Sequence, residues 1–556
     1  MIFQTSSIKQ LRQFFFLIAL IIGLIHAWFT RYMVCGDAIP YLDIGDAYFR
    51  ADWSSAINLT YSPLYSWILG LAIYIFKPLA YWESTFIHFI NLIIFLIAFF
   101  CFDFFLQQLI QYHKQKELNF SKSGLSILPE WAWLVLGYTL FIWSSMNLIT
   151  ISSVTPDMCV SAIVYLITGI MLKIQKGTTN RFTFILLGAL LGLGYLAKAI
   201  MLPLAFIYLA LSIFLIKNLR TAIIRILLTS LVFLLISSPF ILAISKIKGS
   251  LTFSECPILN YAWNLNESTY ECCKTYEPIC GKLIHPARTI FNHPKAYEYS
   301  TPIKATDPIW QIQTYWYDGL KPHFTLKGQL KIFMRTAYQY FDLFFHMQGM
   351  LLTGFLVLVL INLKNISWLK DIYEQKILLI PAITAMVLYF LIHVELRYLG
   401  PFVVLFWLGL FSILKLSDSK EIKKILSYSI IILSIFMLIT SIISKDLLEN
   451  FNNTSAYVQW QIADELEKAG LKKGDKAAVA LFDNDFYWAR LAKMPVIAEV
   501  GELADFWAAD DSVKLEVFKA FKQAGAKVVL ADRIPFYTSK INWRRVKDTP
   551  FYFYVL

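Results

Sequence analysis

Apolar residues in this chain gather in long blocks separated by shorter polar stretches. The blocks near 13–30, 84–106, 130–148, 158–174, 183–197, 199–216, 226–245, 347–363, 377–393, 399–415 and 425–443 are each close to the roughly 20 residues that a helix needs to cross a hydrocarbon core. They predict about eleven transmembrane helices. A further apolar stretch, 62–78, begins Ser-Pro-Leu-Tyr-Ser-Trp, and reading it as a span would reverse every later loop.

Basic residues decide its placement. With 62–78 laid along the outer surface as a juxtamembrane helix, one side collects Lys9 and Arg12; Lys114, Lys116 and Lys122; Lys173, Lys176 and Arg181; Lys217, Arg220 and Arg225; Lys364, Lys370 and Lys376; and Lys415, Lys420, Lys423 and Lys424. The short loops opposite, before 245, hold only Arg31, Arg50, Lys77 and Lys198. Cytoplasmic loops carry the excess of Lys and Arg, so the N-terminus is expected in the cytoplasm. The apolar run after Arg12 lacks a small-residue cleavage site and reads as a retained first helix.

Composition narrows the class. Of 556 residues 58% are hydrophobic and 16% charged, against about 45–50% and about 25% in a soluble domain. That excludes a soluble globular enzyme. The net charge of +12 is accounted for by the cytoplasmic loops, so no nucleic-acid partner is expected.

Three longer segments are then expected outside: 31–83, 246–346 and 444–556. In the last, charges return and apolar residues become periodic. Ala456 to Ala469 reads as an amphipathic helix closed by Gly470, Lys476 to Leu481 as a strand, Ser512 to Ala524 as a helix closed by Gly525, and Ala526 to Ala531 as a second strand. The chain thus divides into a membrane domain, 1–443, and a small extracytoplasmic α/β domain, 444–556. Gly470-Leu-Lys-Lys-Gly474 is a helix-to-strand turn and not a phosphate-cradling loop, and Asp483, Asn484, Asp485 and Trp488 fall in a strand-to-helix turn. The domain is therefore expected to be dispensable for chemistry, though not for stability or substrate choice.

Candidate chemistry gathers at one interface. Few charges fall near the centre of a span, whereas Lys198, His393, Glu395 and Arg397 stand at outer ends beside Asp37, Asp43, Asp46 and Asp157. A transporter would place such groups and broken helices at the midplane. Asp37 directly follows the first span and is either a catalytic acid or a helix-capping one. Asp43 and Asp46, one turn apart, share a helix face. Thr155-Pro-Asp157 is a candidate site and equally a good helix start, with Thr as cap. Cys35, Cys101 and Cys159 lie near or in apolar segments; Cys256, Cys272, Cys273 and Cys280 share one polar stretch, with one disulfide expected there. In 246–346, Asn260-Tyr-Ala-Trp263, His285-Pro-Ala-Arg288, Tyr315-Trp-Tyr317 and His323 form either a ligand-contacting cover or a packed cap. His285 and His293 make a poor metal pair.

Read together, several motifs resemble a known family. Asp37 with Tyr41, the later Asp52-Trp53, Tyr61 ahead of Pro63-Leu-Tyr-Ser-Trp67, Pro156-Asp157, Lys198 after Gly194-Tyr-Leu-Ala, and Glu395-Leu-Arg-Tyr-Leu-Gly-Pro401 together resemble the GT-C integral membrane glycosyltransferases, nearest to the protein O-mannosyltransferase and aminoarabinose lipid A transferase group. The likeness covers about residues 10–415. The chain departs from many relatives in having Gly36-Asp37-Ala38 instead of a paired acid, and from the aminoarabinose enzymes in having Tyr61-Ser62 instead of Glu-Lys.

The resemblance implies an inverting transfer from a polyprenyl-phosphate-linked sugar to an acceptor hydroxyl. Asp37 is the implied base; Asp157 is a second catalytic acid that orients the acceptor or binds a divalent ion. Asp46, Tyr41, Tyr61, Lys198, Glu395, Arg397 and Tyr398 are the implied substrate contacts, Lys198 and Arg397 meeting the phosphate. No acid need protonate a phosphate leaving group that cations stabilise. The partners implied are the lipid donor, membrane lipid and an acceptor, a glycan or glycolipid in preference to a protein. A flippase or transporter of a lipid-linked sugar and a protein O-glycosyltransferase are the alternatives.

Overall fold

A computed structural model describes residues 5–34, 36–120, 125–126, 128–266, 285, 287–308, 321–362, 366–417, 419–482, 485–536 and 542–556. Cys35, three of the four cysteines among which a disulfide is expected (Cys272, Cys273 and Cys280), Tyr315-Trp-Tyr317, Asp483 and Asn484 lie outside the described residues. Every expected span is helical: Thr5–Phe29, Ala80–Phe120, Glu130–Ser144, Asp157–Gln175, Arg181–Ala197, Met201–Leu215, Leu219–Lys248, Gly349–Asn362, Lys376–Ile392, Leu396–Phe411 and Lys420–Ile442. By length and composition, six helices among the described residues are long and apolar enough to cross a membrane, or up to eight when each of two bent helix pairs is one span. Arg181–Ala197, Met201–Leu215 and Leu396–Phe411 are apolar but shorter. The protein is a mainly helical, multi-pass membrane protein. It has two compact units, Met1–Thr30 with His88–Phe253 and Leu326–Phe451, and Arg31–Ile87 with Ser254–Thr325 and Asn452–Leu556.

In the first unit, helices close on one another through small residues. Gly188 and Gly192, four apart on one face of Arg181–Ala197, lie so near Thr229, Val232 and Ile236 of Leu219–Lys248 that a methyl group at either would collide. Such contacts suit helices in lipid, where close packing replaces the hydrophobic drive. One carboxylate inside a span escaped the sequence reading. Asp103 accepts from Gln107 at 2.6 Å and from the Tyr138 hydroxyl, with Arg12 at 3.5 Å. Its oxygens are met by neighbouring helices, so it braces the bundle.

The second unit joins two short helices to a sheet. Ala38–Phe49 and Pro63–Phe76, the latter begun by a proline in its first turn, cross where Gly45 meets Gly70; a Cβ on Gly45 would sit 2.6 Å from the Ser66 carbonyl oxygen. The expected terminal elements appear as Ser455–Lys468, Lys476–Ala480, Asp511–Gln523 and Ala526–Asp532. Gly470 and Gly525 end the two helices at φ +91° and +98°, a conformation glycine adopts without strain.

The sheet recruits more than these. Its seven strands run in the order Arg288–Asn292, Lys295–Glu298, Val496–Val500, Lys476–Ala480, Ala526–Asp532, Phe551–Val555, Arg544–Arg545. Lys476–Ala480 pairs in parallel with both its neighbours, and the remaining pairings are antiparallel. The three parallel strands are buried along nearly all their length, as expected of strands covered on both faces. Phe506, Trp507, Val517, Phe518 and Phe521 pack on Ile497 and Val529 as the core. The 246–346 segment therefore contributes a hairpin to the α/β fold, which is not built from 444–556 alone.

Candidate active site

Helix ends of the first unit bring charged side chains together. Asp157 is the first residue of Asp157–Gln175, where the helix dipole favours a carboxylate. Pro156 holds the cap position, and the Thr155 hydroxyl, expected as the cap, makes no cap bond. Lys198 ends Arg181–Ala197 in an extended conformation, and Arg397 is the second residue of Leu396–Phe411. Asp157 is 3% exposed and lies between the two cations: Lys198 Nζ donates to Oδ1 at 2.5 Å, and Arg397 Nε is 3.9 Å from Oδ2.

Tyr398 completes this cluster. The Lys198 ammonium sits 3.4 Å from its ring centroid and the Arg397 guanidinium 5.4 Å away, while Tyr389 stacks on it at 5.0 Å. A cation over an aromatic face is held electrostatically while keeping its N–H groups directed elsewhere. Glu395, at the helix cap, shares a 3.1 Å hydrogen bond with His393. That bond, with the charges of Arg397 and Lys198, holds the Glu395 carboxyl below its ordinary range against the opposing effect of burial. Four of the residues singled out in the sequence, Asp157, Lys198, Arg397 and Tyr398, thus form one cluster, with Glu395 beside it.

The cluster does not fit a divalent ion. Asp157 already has two cations within 4 Å, and among the described residues no three His, Cys, Asp or Glu side chains gather as ligands.

The second unit holds Asp37, Tyr41, Asp46 and Tyr61. Asp37 occupies the cap position of Ala38–Phe49, half-buried, but its side chain does not cap the helix. Tyr41 is buried edge-on against Tyr61 at 5.0 Å and Tyr65 at 5.4 Å. Asp43 and Asp46 do share a face, and it is turned to Arg490. This fully buried guanidinium donates to Asp43 at 2.9 Å, Asp46 at 3.2 Å and Glu83 at 2.8 Å, while Lys493 reaches Asp46 at 2.8 Å. Burial raises the Asp46 pKa, but the charges of and hydrogen bonds from Arg490 and Lys493 outweigh it and bring it to about 2. Burial likewise opposes the charge on Arg490, and Glu83, Asp46 and Asp43 overcome it.

Sequence reasoning missed Arg490, Glu83 and Asp307. The available signal was an Arg inside the apolar turn Tyr487-Trp-Ala-Arg490-Leu-Ala, a residue seldom buried unless paired. Asp307 is 3% exposed with Oδ1 lacking a hydrogen-bond partner, and its N–H and that of Thr306 donate to Asp43. Burial first, then the charges of Asp43 and Asp37, push its carboxyl well above the ordinary range.

No family model and no curated protein matches this chain. Its fold has solved neighbours. ArnT of Cupriavidus metallidurans matches in the apo state over 97% of this chain and 96% of its own, at 12% identity and a TM-score of 0.43. The same protein bound to undecaprenyl phosphate matches over 97% of each chain, at 11% and 0.42. The Archaeoglobus fulgidus oligosaccharyltransferase in its apo form matches over 96% of this chain and 70% of its own, at 12% and 0.48. All are GT-C glycosyltransferases, the group that the sequence motifs resemble.

Proposed function

We propose that this protein is an inverting glycosyltransferase that takes a sugar from a polyprenyl-phosphate carrier at the outer face of the membrane and places it on a hydroxyl of a cell-envelope glycan or glycolipid. The observation that carries the reading is the Lys198–Asp157–Arg397 cluster on Tyr398, set where three membrane-bundle helices end. Helix ends lie at the interface, the depth at which a lipid-linked phosphate presents its charge. The outer placement and the cytoplasmic N-terminus rest on the distribution of Lys and Arg.

In the proposed reaction the bond between C1 of the sugar and the phosphate oxygen breaks as the acceptor oxygen bonds to C1 from the opposite side. The electron pair leaves on the phosphate, where Lys198 and Arg397 stabilise it, Arg with a fork matched to phosphate oxygens. The acceptor proton passes to a carboxylate. Asp37 is proposed as that base from its position directly after the first span. Asp157 holds the two cations in place and is a positioning residue in this scheme.

Binding tests it. The purified wild type should bind a short polyprenyl phosphate and not the corresponding polyprenol, and Lys198→Gln and Arg397→Gln should each lose about tenfold or more in affinity, as expected for a charged hydrogen bond. Equal affinity of wild type for phosphate and alcohol would overturn the reading.

A further inference from the structure

The proposed base, Asp37, stands at the end of a helix in the second unit that is held at two points. Asp37 has helical backbone angles, φ −64° and ψ −16°, so it moves with Ala38–Phe49 as one rigid piece. The first point is the crossing of Gly45 on Gly70. With no side chains to interdigitate, that crossing sets how closely the helices approach and leaves their angle to other contacts. Asp37 lies eight residues before Gly45, about 12 Å along the helix axis, so a swing of about 5° about the crossing moves it by about 1 Å. A displacement of that size can cost a reaction about a hundredfold.

The second point is Arg490. Its fully buried guanidinium joins Asp43 at 2.9 Å and Asp46 at 3.2 Å, both on Ala38–Phe49, to Glu83 at 2.8 Å in the first turn of Ala80–Phe120. One planar fork thus spans two helices, a geometry that a flexible ammonium does not hold. Asp43 is also gripped by the Thr306 N–H at 2.6 Å, the Thr306 hydroxyl at 2.8 Å and the Asp307 N–H at 3.2 Å. The short helix that carries Arg490, Tyr487–Ala492, is itself anchored: the Trp488 N–H donates to Gln459 at 3.0 Å and the Tyr487 hydroxyl to Glu83 at 3.2 Å. Burying a cation among three carboxylates is a poor source of stability, since apolar side chains of similar volume often do as well or better. What such a network supplies is a fixed geometry.

We propose that Arg490 is a positioning residue for the transfer reaction: by tying Asp43 and Asp46 to Glu83 it sets the angle of Ala38–Phe49, and with it the place of the Asp37 carboxylate. The inference rests on the role proposed above for Asp37. It makes Arg490, which lies in the segment expected to be dispensable for chemistry, part of what makes the chemistry fast.

Turnover counted per intact site tests it. In full-length protein, binding-competent sites are counted by titration with a short polyprenyl phosphate. Carrier release from polyprenyl-phosphate-linked sugars in the presence of extracted envelope glycolipids is then expressed per site. Arg490→Lys keeps the charge and loses the fork. It should bind polyprenyl phosphate within about twofold of wild type and keep the same half-saturating acceptor concentration, while each site turns over about 10- to 100-fold more slowly. Asp46→Asn, which leaves Arg490 on Asp43 and Glu83, should move turnover per site in the same direction by a smaller factor, and decides the matter should Arg490→Lys not fold. Fewer sites that each turn over at the wild-type rate would reveal a purely structural brace and overturn the proposal, as would a change confined to acceptor half-saturation. Failure of the underlying reading looks different: wild type then releases no carrier, or Asp37→Asn turns over like wild type, and both readings fall together.

Discussion

Asp157 accepts the Lys198 ammonium at 2.5 Å while itself almost wholly buried. A carboxylate so placed competes with any anion that Lys198 binds. Asp157→Asn should therefore retain polyprenyl phosphate more tightly than wild type while turning over more slowly, and lose about 1–3 kcal/mol of stability with the charged hydrogen bond. Affinity measured by titration, beside a thermal melt, checks both; weaker binding would show that Asp157 aligns Lys198 without competing.

Arg490 holds Asp43, Asp46 and Glu83 at once. Arg490→Met leaves three carboxylates without their shared countercharge and should cost about 3–5 kcal/mol, with Arg490→Lys recovering part of it. Truncation near Asp446 removes Arg490 and Lys493 together, so the C-terminal segment should prove indispensable for stability. A truncated protein melting like wild type would refute this.

Asp307 gives a pH signature of definite sign. Its folded-state pKa is raised, so its contribution favours the folded state in acid, where both states are protonated, and turns unfavourable as pH rises through the ordinary carboxylate value. Asp307→Asn should melt higher than wild type at neutral pH, with the difference vanishing below about pH 4. Asp46 behaves oppositely: its depressed pKa stabilises above about pH 4 and the gain is lost as pH falls toward about 2. A melt series of wild type, Asp307→Asn and Asp46→Asn across that window separates the two.

Much of this was legible in the sequence, and the exceptions have physical causes. Apolar runs located a helix at each expected position, because a helix in lipid must be apolar along its own length, while among the described residues six to eight of these helices are long and apolar enough to cross a membrane. Lys198, Arg397 and Asp157 were found because charges at helix ends are few in such a chain. Leu326–Phe341 escaped because Lys327, Lys331 and Arg335 break its apolar run along one face, and the Arg288–Glu298 hairpin because its partner strand Val496–Val500 lies about 200 residues away. Asp307 escaped because its burial against Asp43 joins positions more than 260 residues apart, whereas Arg490 had left a signal in the apolar turn around it.

Orientation is tested by chemical access. Ser512 is exposed near the start of Asp511–Gln523. Ser512→Cys should react with an impermeant thiol reagent in intact cells, above the background of the native cysteines. Labelling only after lysis would reverse the topology and move Lys198, Arg397 and Asp157 to the cytoplasmic side.

The most direct test of the account is release of the carrier. Protein reconstituted in vesicles is given polyprenyl-phosphate-linked sugars with extracted envelope glycolipids and glycans, and free polyprenyl phosphate is followed together with the mass of the acceptors. Wild type should release carrier as an acceptor gains one sugar of inverted anomeric configuration, and folded Asp37→Asn should lose about 10²–10⁴-fold of that rate. Movement of the donor across the vesicle membrane without any release of carrier would contradict the account and identify a flippase instead.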